Sequence, residues 1–348
     1  MRILRQFALG GGALWAALLL TTVVLAEPTT IASDAVAAKP LFRDPVYDGA
    51  ADPVVIWNPA VQRWWMFYTN RRANAADLPG VTWVHGTRIG IAESEDRGAT
   101  WSYLRTADIE LPPEFGGEKT THWAPDIVRA DDGTWRMFLT VVPGIFAKWE
   151  GSRHIVQLTS RDLVQWRKAR RLPLASARAI DAGVLRLPDG TWRLWYNDEL
   201  DGKAIHYAES RDMEEWTDRG PAAGVGKRCE GPKVFRWNNS YWLVADEWKG
   251  LAVYRSDDAL TWTRQAGENL LAVPGTGADD QVKGGHADVV VSGERAWLFY
   301  FTHPGRRGAE EKKDGTEQRR SSIQVVELEL QQGRIVCDRD RPTRIALP

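Results

Sequence analysis

Five side chains able to do chemistry stand at the openings of short β-rich runs spread along the chain. They are Asp52 ahead of Pro53, Asp126 in Trp123-Ala124-Pro125-Asp126, Asp181 in Ile180-Asp181-Ala182, Glu230 in Glu230-Gly231-Pro232, and His286 in Gly285-His286-Ala287. Four carboxyls and an imidazole suit acid–base work. A confined space pulls the proton affinities of neighbouring acids apart, leaving one protonated beside another ionised. Such a pair can give a proton to a leaving group while taking one from water. In an ordinary core the same acids would repel one another and desolvate badly. A structural alternative is that they hold a central cation or bridge neighbouring elements.

A repeat supplies the elements that would gather them. A Trp-rich alternating strand recurs as Arg63-Trp64-Trp65-Met66-Phe67-Tyr68, Thr134-Trp135-Arg136-Met137-Phe138-Leu139 and Thr191-Trp192-Arg193-Leu194-Trp195-Tyr196. It returns as Ser240-Tyr241-Trp242-Leu243-Val244 and Arg295-Ala296-Trp297-Leu298-Phe299-Tyr300. Each copy follows a short β-rich run and a turn such as Asp132-Gly133, Asp189-Gly190 or Asn238-Asn239, pairs that tolerate positive φ in hairpins. Four copies lead on to a Ser-x-Asp turn and another Trp, from Ser94 to Trp101, Ser160 to Trp166, Ser210 to Trp216 and Ser256 to Trp262. Each unit therefore reads as a four-stranded antiparallel blade. Five of them predict an all-β, five-bladed β-propeller, whose innermost strands line a central channel. The charged stretch 305–320 reads as a solvated loop between strands of blade five.

Asp-Pro in blade one, Trp-Ala-Pro-Asp in blade two, Ile-Asp in blade three and Glu-Gly-Pro in blade four resemble glycoside hydrolase family 43. The likeness runs from about Leu41 to the C-terminus. It implies an inverting glycosidase with Asp52 as general base, Glu230 as general acid and Asp181 as the residue that orients the acid and raises its pKa. Blade three departs from the family, with Ala182 where proline is usual. An inverting pair stands about 6.5–9.5 Å apart so that a water fits between base and sugar. Asp126 and Trp123 are expected in the substrate pocket, Trp123 either as a sugar platform or as packing. His286 is expected to ligate a central calcium ion or to bond a sugar hydroxyl; a purely structural histidine is the alternative. His122 and His85, in long loops on the mouth side, are further substrate-binding candidates. The implied partner is an oligo- or polysaccharide of plant or algal origin. A non-catalytic carbohydrate-binding propeller is one rival reading. A sialidase is another, because Ser94-Glu95-Asp96-Arg97-Gly98-Ala99-Thr100-Trp101 matches an Asp-box turn, yet no arginine triad or sixth blade accompanies it.

Composition narrows the field further. Arg2 and Arg5 precede an apolar run from Phe7 to Leu25 that ends Val24-Leu25-Ala26, which reads as a signal peptide over residues 1–26. Residues 27–40 would be a linker and residues 41–348 the propeller. The body is expected in the periplasm or outside the cell, with a membrane contact only if the leader stays uncleaved, and as a monomer. Lys and Arg number 45 against 46 Asp and Glu, a balance without the basic face that a nucleic-acid partner would require. Cys229 and Cys337 are the two cysteines, too few for a disulfide framework or a zinc site, though one bridge between them is open. Tryptophan is abundant, at 18 residues, and most of it serves the repeat.

Overall fold

The structure is a computed structural model that describes residues 34–348. The leader and the first half of the expected linker, residues 27–33, fall outside that range. Blade one contains Ala50–Asn58, Arg63–Asn70, Arg88–Ser94 and Ser102–Thr106. Blade two contains Thr120–Arg129, Trp135–Pro143, His154–Ser160 and Gln165–Arg171, with a short parallel strand, Asp108–Ile109, on its outer edge. Blade three is Ala179–Arg186, Trp192–Asp198, Ala204–Ser210 and Thr217–Pro221, and blade four is Glu230–Trp237, Ser240–Asp246, Leu251–Ser256 and Thr263–Arg264. Blade five is Gly284–Ser292, Arg295–Thr302, Ser322–Gln331 and Arg334–Cys337. The first strands of successive blades touch all the way round, and blade five meets blade one. The fold is thus a five-bladed β-propeller with four-stranded antiparallel blades.

The tryptophan repeat explains why the blades stack. Trp166, Trp195, Trp242 and Trp297 are all but sealed from solvent, each in an apolar cluster shared by two adjoining blades. A buried aromatic of this size removes about 150–250 Å² from water, worth about 4–6 kcal/mol before conformational entropy is subtracted. The Ser-x-Asp turns are stitched by their own side chains. Ser94, Ser160, Ser210 and Ser256 each donate a hydroxyl to the Asp two residues on, at 2.8 to 3.0 Å. In each turn a non-glycine residue, Arg97, Leu163, Met213 or Ala259, adopts a positive φ.

Closure of the ring relies on the two ends of the described chain. The part of the expected linker that is described is not a free tether: Ala35–Val36 pairs antiparallel with Arg344–Ile345. Leu41 and Phe42 enter the cluster between blades five and one together with Ile345 and Leu347. Both cysteines are free, Cys229 buried beside blade four and Cys337 in blade five, so no bridge joins them.

Candidate active site

An irregularity at the start of each inner strand decides which side chains reach the funnel. The pairing register slips between Ala51 and Val54, Trp123 and Asp126, Ile180 and Gly183, Glu230 and Lys233, and Gly285 and Ala287. A bulge of this kind re-aims a side chain that regular pleating would send elsewhere. Asp52, Ala124, Asp181 and Gly231 lodge in four of the bulges with φ of 52°, 40°, 57° and 59°, and His286 fills the matching place in blade five. For residues with a Cβ, this left-handed backbone costs about 1 kcal/mol or more, a strain found most often at functional sites. Gly231 is obligatory for a second reason: a Cβ there would lie 2.8 Å from the His286 ring. The five residues expected at strand openings are therefore not equivalent. Asp126 lies two residues beyond its bulge residue and Glu230 one before it.

A cavity of about 1010 Å³ opens over this end of the ring, and Asp52, Asp181, Glu230, Asp246 and His286 are among its lining residues. Asp52 accepts Arg71 Nη2 on both oxygens, at 2.9 and 3.1 Å. His286 Nδ1 stands 3.5 Å from Asp52 Oδ1 and 3.9 Å from Asp181 Oδ2. The same Asp181 oxygen accepts the Gly231 N–H at 3.2 Å, one residue from Glu230. Glu230 Oε1 accepts from Trp248 Nε1 at 3.0 Å, and its Oε2 meets Lys203 Nζ at 3.3 Å. The structure thus brings Asp52, Asp181, Glu230 and His286 together on one cavity.

Their surroundings drive the acids apart. Burial alone would raise Asp52, but the charges of Arg71 and His286 and hydrogen bonds from Thr69 and Arg71 outweigh it and hold its pKa below the usual carboxylate value. Asp181 goes the other way. Burial, then the charges of Glu230 and Asp52, push its pKa well above the ordinary range. Asp246, which accepts the His286 and Trp248 amides, is lifted by burial and by Glu230 to about 6. The cavity therefore has an ionised end at Asp52 and a proton-retaining end at Asp181 and Asp246, beside Glu230.

Asp126 lies elsewhere. It sits one layer deeper on the axis and does not line the cavity: its Oδ2 accepts the Val184 amide at 2.6 Å and its Oδ1 accepts Lys233 Nζ at 2.9 Å. Lys233 also ion-pairs Asp288 Oδ1 at 2.8 Å, while Asp288 Oδ2 accepts the Val55 amide at 2.8 Å. One chain of contacts from Val55 through Asp288, Lys233 and Asp126 to Val184 thus links all five blades. His122 belongs to the inner strand Thr120–Arg129 rather than to a loop. It too lies off the cavity, and burial drives its pKa down to about 3. Trp123 does line the cavity, with little exposure and its Nε1 donating to Val84 O at 2.6 Å.

Calcium takes about six to eight oxygen ligands, from carboxylates, carbonyls and waters. On this axis Lys233 holds Asp126 and Asp288, Arg71 holds Asp52, and backbone amides engage Asp181 and Asp246. No group of three or more His, Cys, Asp or Glu among the described residues is arranged to hold a metal ion. Among the described residues, therefore, no carboxylates are gathered with His286 as direct ligands for the calcium ion expected there.

Several lining residues escaped the sequence reading. Trp149 is 60% exposed and packs edge-on against Trp123, with ring centroids 6.2 Å apart, which leaves a face free over the cavity. Trp83, Trp248 and Phe301 add further aromatic wall. Arg71 lies 4.7 Å from the Phe301 ring and 3.3 Å from His303 Nε2, contacts that fix its approach to Asp52. The stretch 305–320 is more than a solvated loop: it folds into short helical turns and places Arg306, Arg307, Gly308 and Glu311 on the cavity wall.

A propeller whose axial cavity holds an ionised carboxyl beside proton-retaining ones has the design of a glycoside hydrolase. The family model of glycosyl hydrolases family 43 matches residues 42–329, and the chain belongs to that family. Among solved structures, a thermostable family-43 glycoside hydrolase is 18% identical over 88% of this chain and 98% of its own, with a TM-score of 0.62. A family-43 β-1,3-galactosidase solved with galactodeoxynojirimycin is 15% identical over 90% of this chain and 100% of its own, also at 0.62. The GH43_1 enzyme of Xanthomonas citri solved with xylotriose is 16% identical over 82% and 90%, at 0.60. At such identities the likeness is one of fold. No curated protein matches the chain significantly.

Proposed function

We propose that this glycoside hydrolase is a secreted or periplasmic inverting enzyme acting on plant or algal oligo- and polysaccharides, with Asp52 as base and Glu230 as acid. The observation that carries the reading is the electrostatic split across one cavity. Arg71 keeps Asp52 ionised, while Asp181 retains a proton beside Glu230. In the reaction, Asp52 takes a proton from a water as that water's oxygen bonds to the anomeric carbon. Glu230 gives a proton to the departing glycosidic oxygen on the other face of the sugar, so the configuration inverts. Asp181 keeps a proton at this end of the cavity, next to the carboxyl assigned as the acid. Asp181 is a positioning residue: it accepts the Gly231 amide and so fixes the backbone that carries the acid. His286, between Asp52 and Asp181, can donate to a sugar hydroxyl, and Trp149 offers a stacking face.

Xylotriose and galactodeoxynojirimycin in the related structures suit a pyranose in this cavity, and the wall formed by residues 305–320 suits action from a chain end by a monomer. Aryl glycosides and plant and algal polysaccharides should be screened for cleavage, with the anomeric form of the first product followed by NMR. Inversion, abolished by Glu230→Gln and Asp52→Asn, is the expected result. A retained configuration would overturn the assigned roles. Sugar binding without cleavage by the unaltered protein would favour a carbohydrate-binding propeller instead.

A further inference from the structure

The cavity wall carries more positive charge than the acids of the site explain. Two of its lysines are matched: Lys203 pairs with Glu199 and Glu230, and Lys283 with Glu311. Arg71 is matched by Asp52. Four further lining residues, Arg178, Arg228, Arg306 and Arg307, have no carboxylate within salt-bridge distance among the described residues. The acids left over on the cavity floor, Asp181 and Asp246, both have raised proton affinity and so offer these arginines little countercharge.

Arg306 is the most telling of the four. It is half-buried, and two contacts hold it in place: its backbone N–H donates to His303 O at 2.9 Å and its Nε to Gln318 O at 2.8 Å. Its two Nη groups have no hydrogen-bond partner among the described residues. Burial and then the neighbouring charge of Arg71 work against its protonated form and outweigh the more distant carboxylates of Asp314 and Glu311, neither of which pairs with it. A guanidinium fixed at its stem, close to a second cation and with its fork unpaired presents its N–H groups to an anion in the cavity. Its planar fork matches the oxygens of a carboxylate or a sulfate.

We infer that the glycan cut here is anionic, and that Arg306, with Arg307 beside it, grips a uronate carboxylate or a sulfate ester on a sugar bound in the axial cavity. The inference rests on the hydrolase reading of that cavity. The other unpaired arginines at the mouth would draw such a glycan in, an effect that salt screens.

Matched probes test this on the mature protein by titration calorimetry: glucuronate against glucose, galacturonate and galactose 6-sulfate against galactose, and xylotetraose with and without a glucuronosyl branch. At least one anionic member should bind tenfold or more tightly than its neutral partner in 50 mM NaCl, and the preference should shrink in 500 mM NaCl. The carboxylate and sulfate arms identify which group is recognised. In Arg306→Gln, melting like the unaltered protein, the ratio should fall towards one. Arg307→Gln, on an exposed residue, gives a second variant should the first misfold. Absence of any anionic preference, including no binding of either member of every pair, overturns the inference, as does a preference untouched in both variants. Glu230-dependent cleavage of neutral glycosides without anionic preference would leave the hydrolase reading standing alone. Anion-dependent binding with no bond cleaved would do the reverse.

Discussion

Lys233→Met is the sharpest perturbation of this ring, because one ammonium holds a charge network that touches every blade. Burial disfavours the lysine's charge, yet Asp126 and Asp288 outweigh that and hold its pKa above the usual value. It donates to Asp126 at 2.9 Å and stands 2.8 Å from Asp288, the second contact lacking hydrogen-bond alignment. Removing one partner of a buried ion pair costs about 3–5 kcal/mol, since the remaining charge has no water to turn to. Here two carboxylates would be stranded together, both about 3% exposed. A domain of this length melts about 1.5–2 °C lower per kcal/mol lost, so the variant should melt about 5–10 °C lower at pH 7.5. The sign of the pH dependence is fixed as well. Without the cation, the folded pKa of Asp126, already raised by burial, rises further, and an acid with a raised folded pKa loses stability as pH climbs above its unfolded value. The deficit should therefore narrow at pH 4.5, where the unfolded acids also begin to take up protons. Thermal unfolding followed by tryptophan fluorescence and circular dichroism at both pH values makes the measurement. Adding Asp288→Asn to Lys233→Met should recover part of the loss. A deficit under 1 kcal/mol, or one that does not change with pH, would refute the view that Lys233 is the ring's internal counter-ion.

Arg71→Met removes the cation that keeps Asp52 ionised, so the acid limb of the kcat/KM profile should move up by about 1–2 pH units as burial prevails; an unmoved limb would acquit Arg71. Asp181→Asn takes away the acid that retains a proton beside Glu230, and kcat should fall about 100-fold or more with the alkaline limb shifted to lower pH. A loss confined to melting temperature would mean that Asp181 only supports the backbone. Trp149→Ala strips an exposed face from the cavity and should raise KM for oligosaccharides about five- to tenfold, roughly 1 kcal/mol, at unchanged melting temperature; calorimetry and initial rates separate the two.

The fold was legible because its signals are local and repeated. The alternation around Trp64, Trp135, Trp192, Trp242 and Trp297 marks five second strands, and the Ser-x-Asp turns mark where four third strands end, so strand order follows without any long-range information. The site was legible only in part, and the reason lies in the bulges. Asp52-Pro53, Ala124-Pro125 and Gly231-Pro232 share one backbone figure, a left-handed residue followed by proline. Aligned on the proline, Asp126 follows it where Asp52 precedes it, which sends Asp126 one layer down to Lys233 and leaves Ala124 in the bulge of blade two. Side chain alone suggested five equivalent groups; the proline offset, present in the same residues, distinguishes two layers. Lys233 could have been suspected on that footing, three residues beyond Glu230 as Asp126 is three beyond Trp123. No comparable signal exists for Trp149 or Arg306. Both stand in connections between the second and third strands of a blade, where nothing in the sequence repeats and position is set by what the turn packs against. The chemistry of the cavity is therefore written in the strands, where the blade fixes each group by register. Its selectivity is left to the connections, where a single half-buried guanidinium can set the charge of the substrate without altering the blade beneath it.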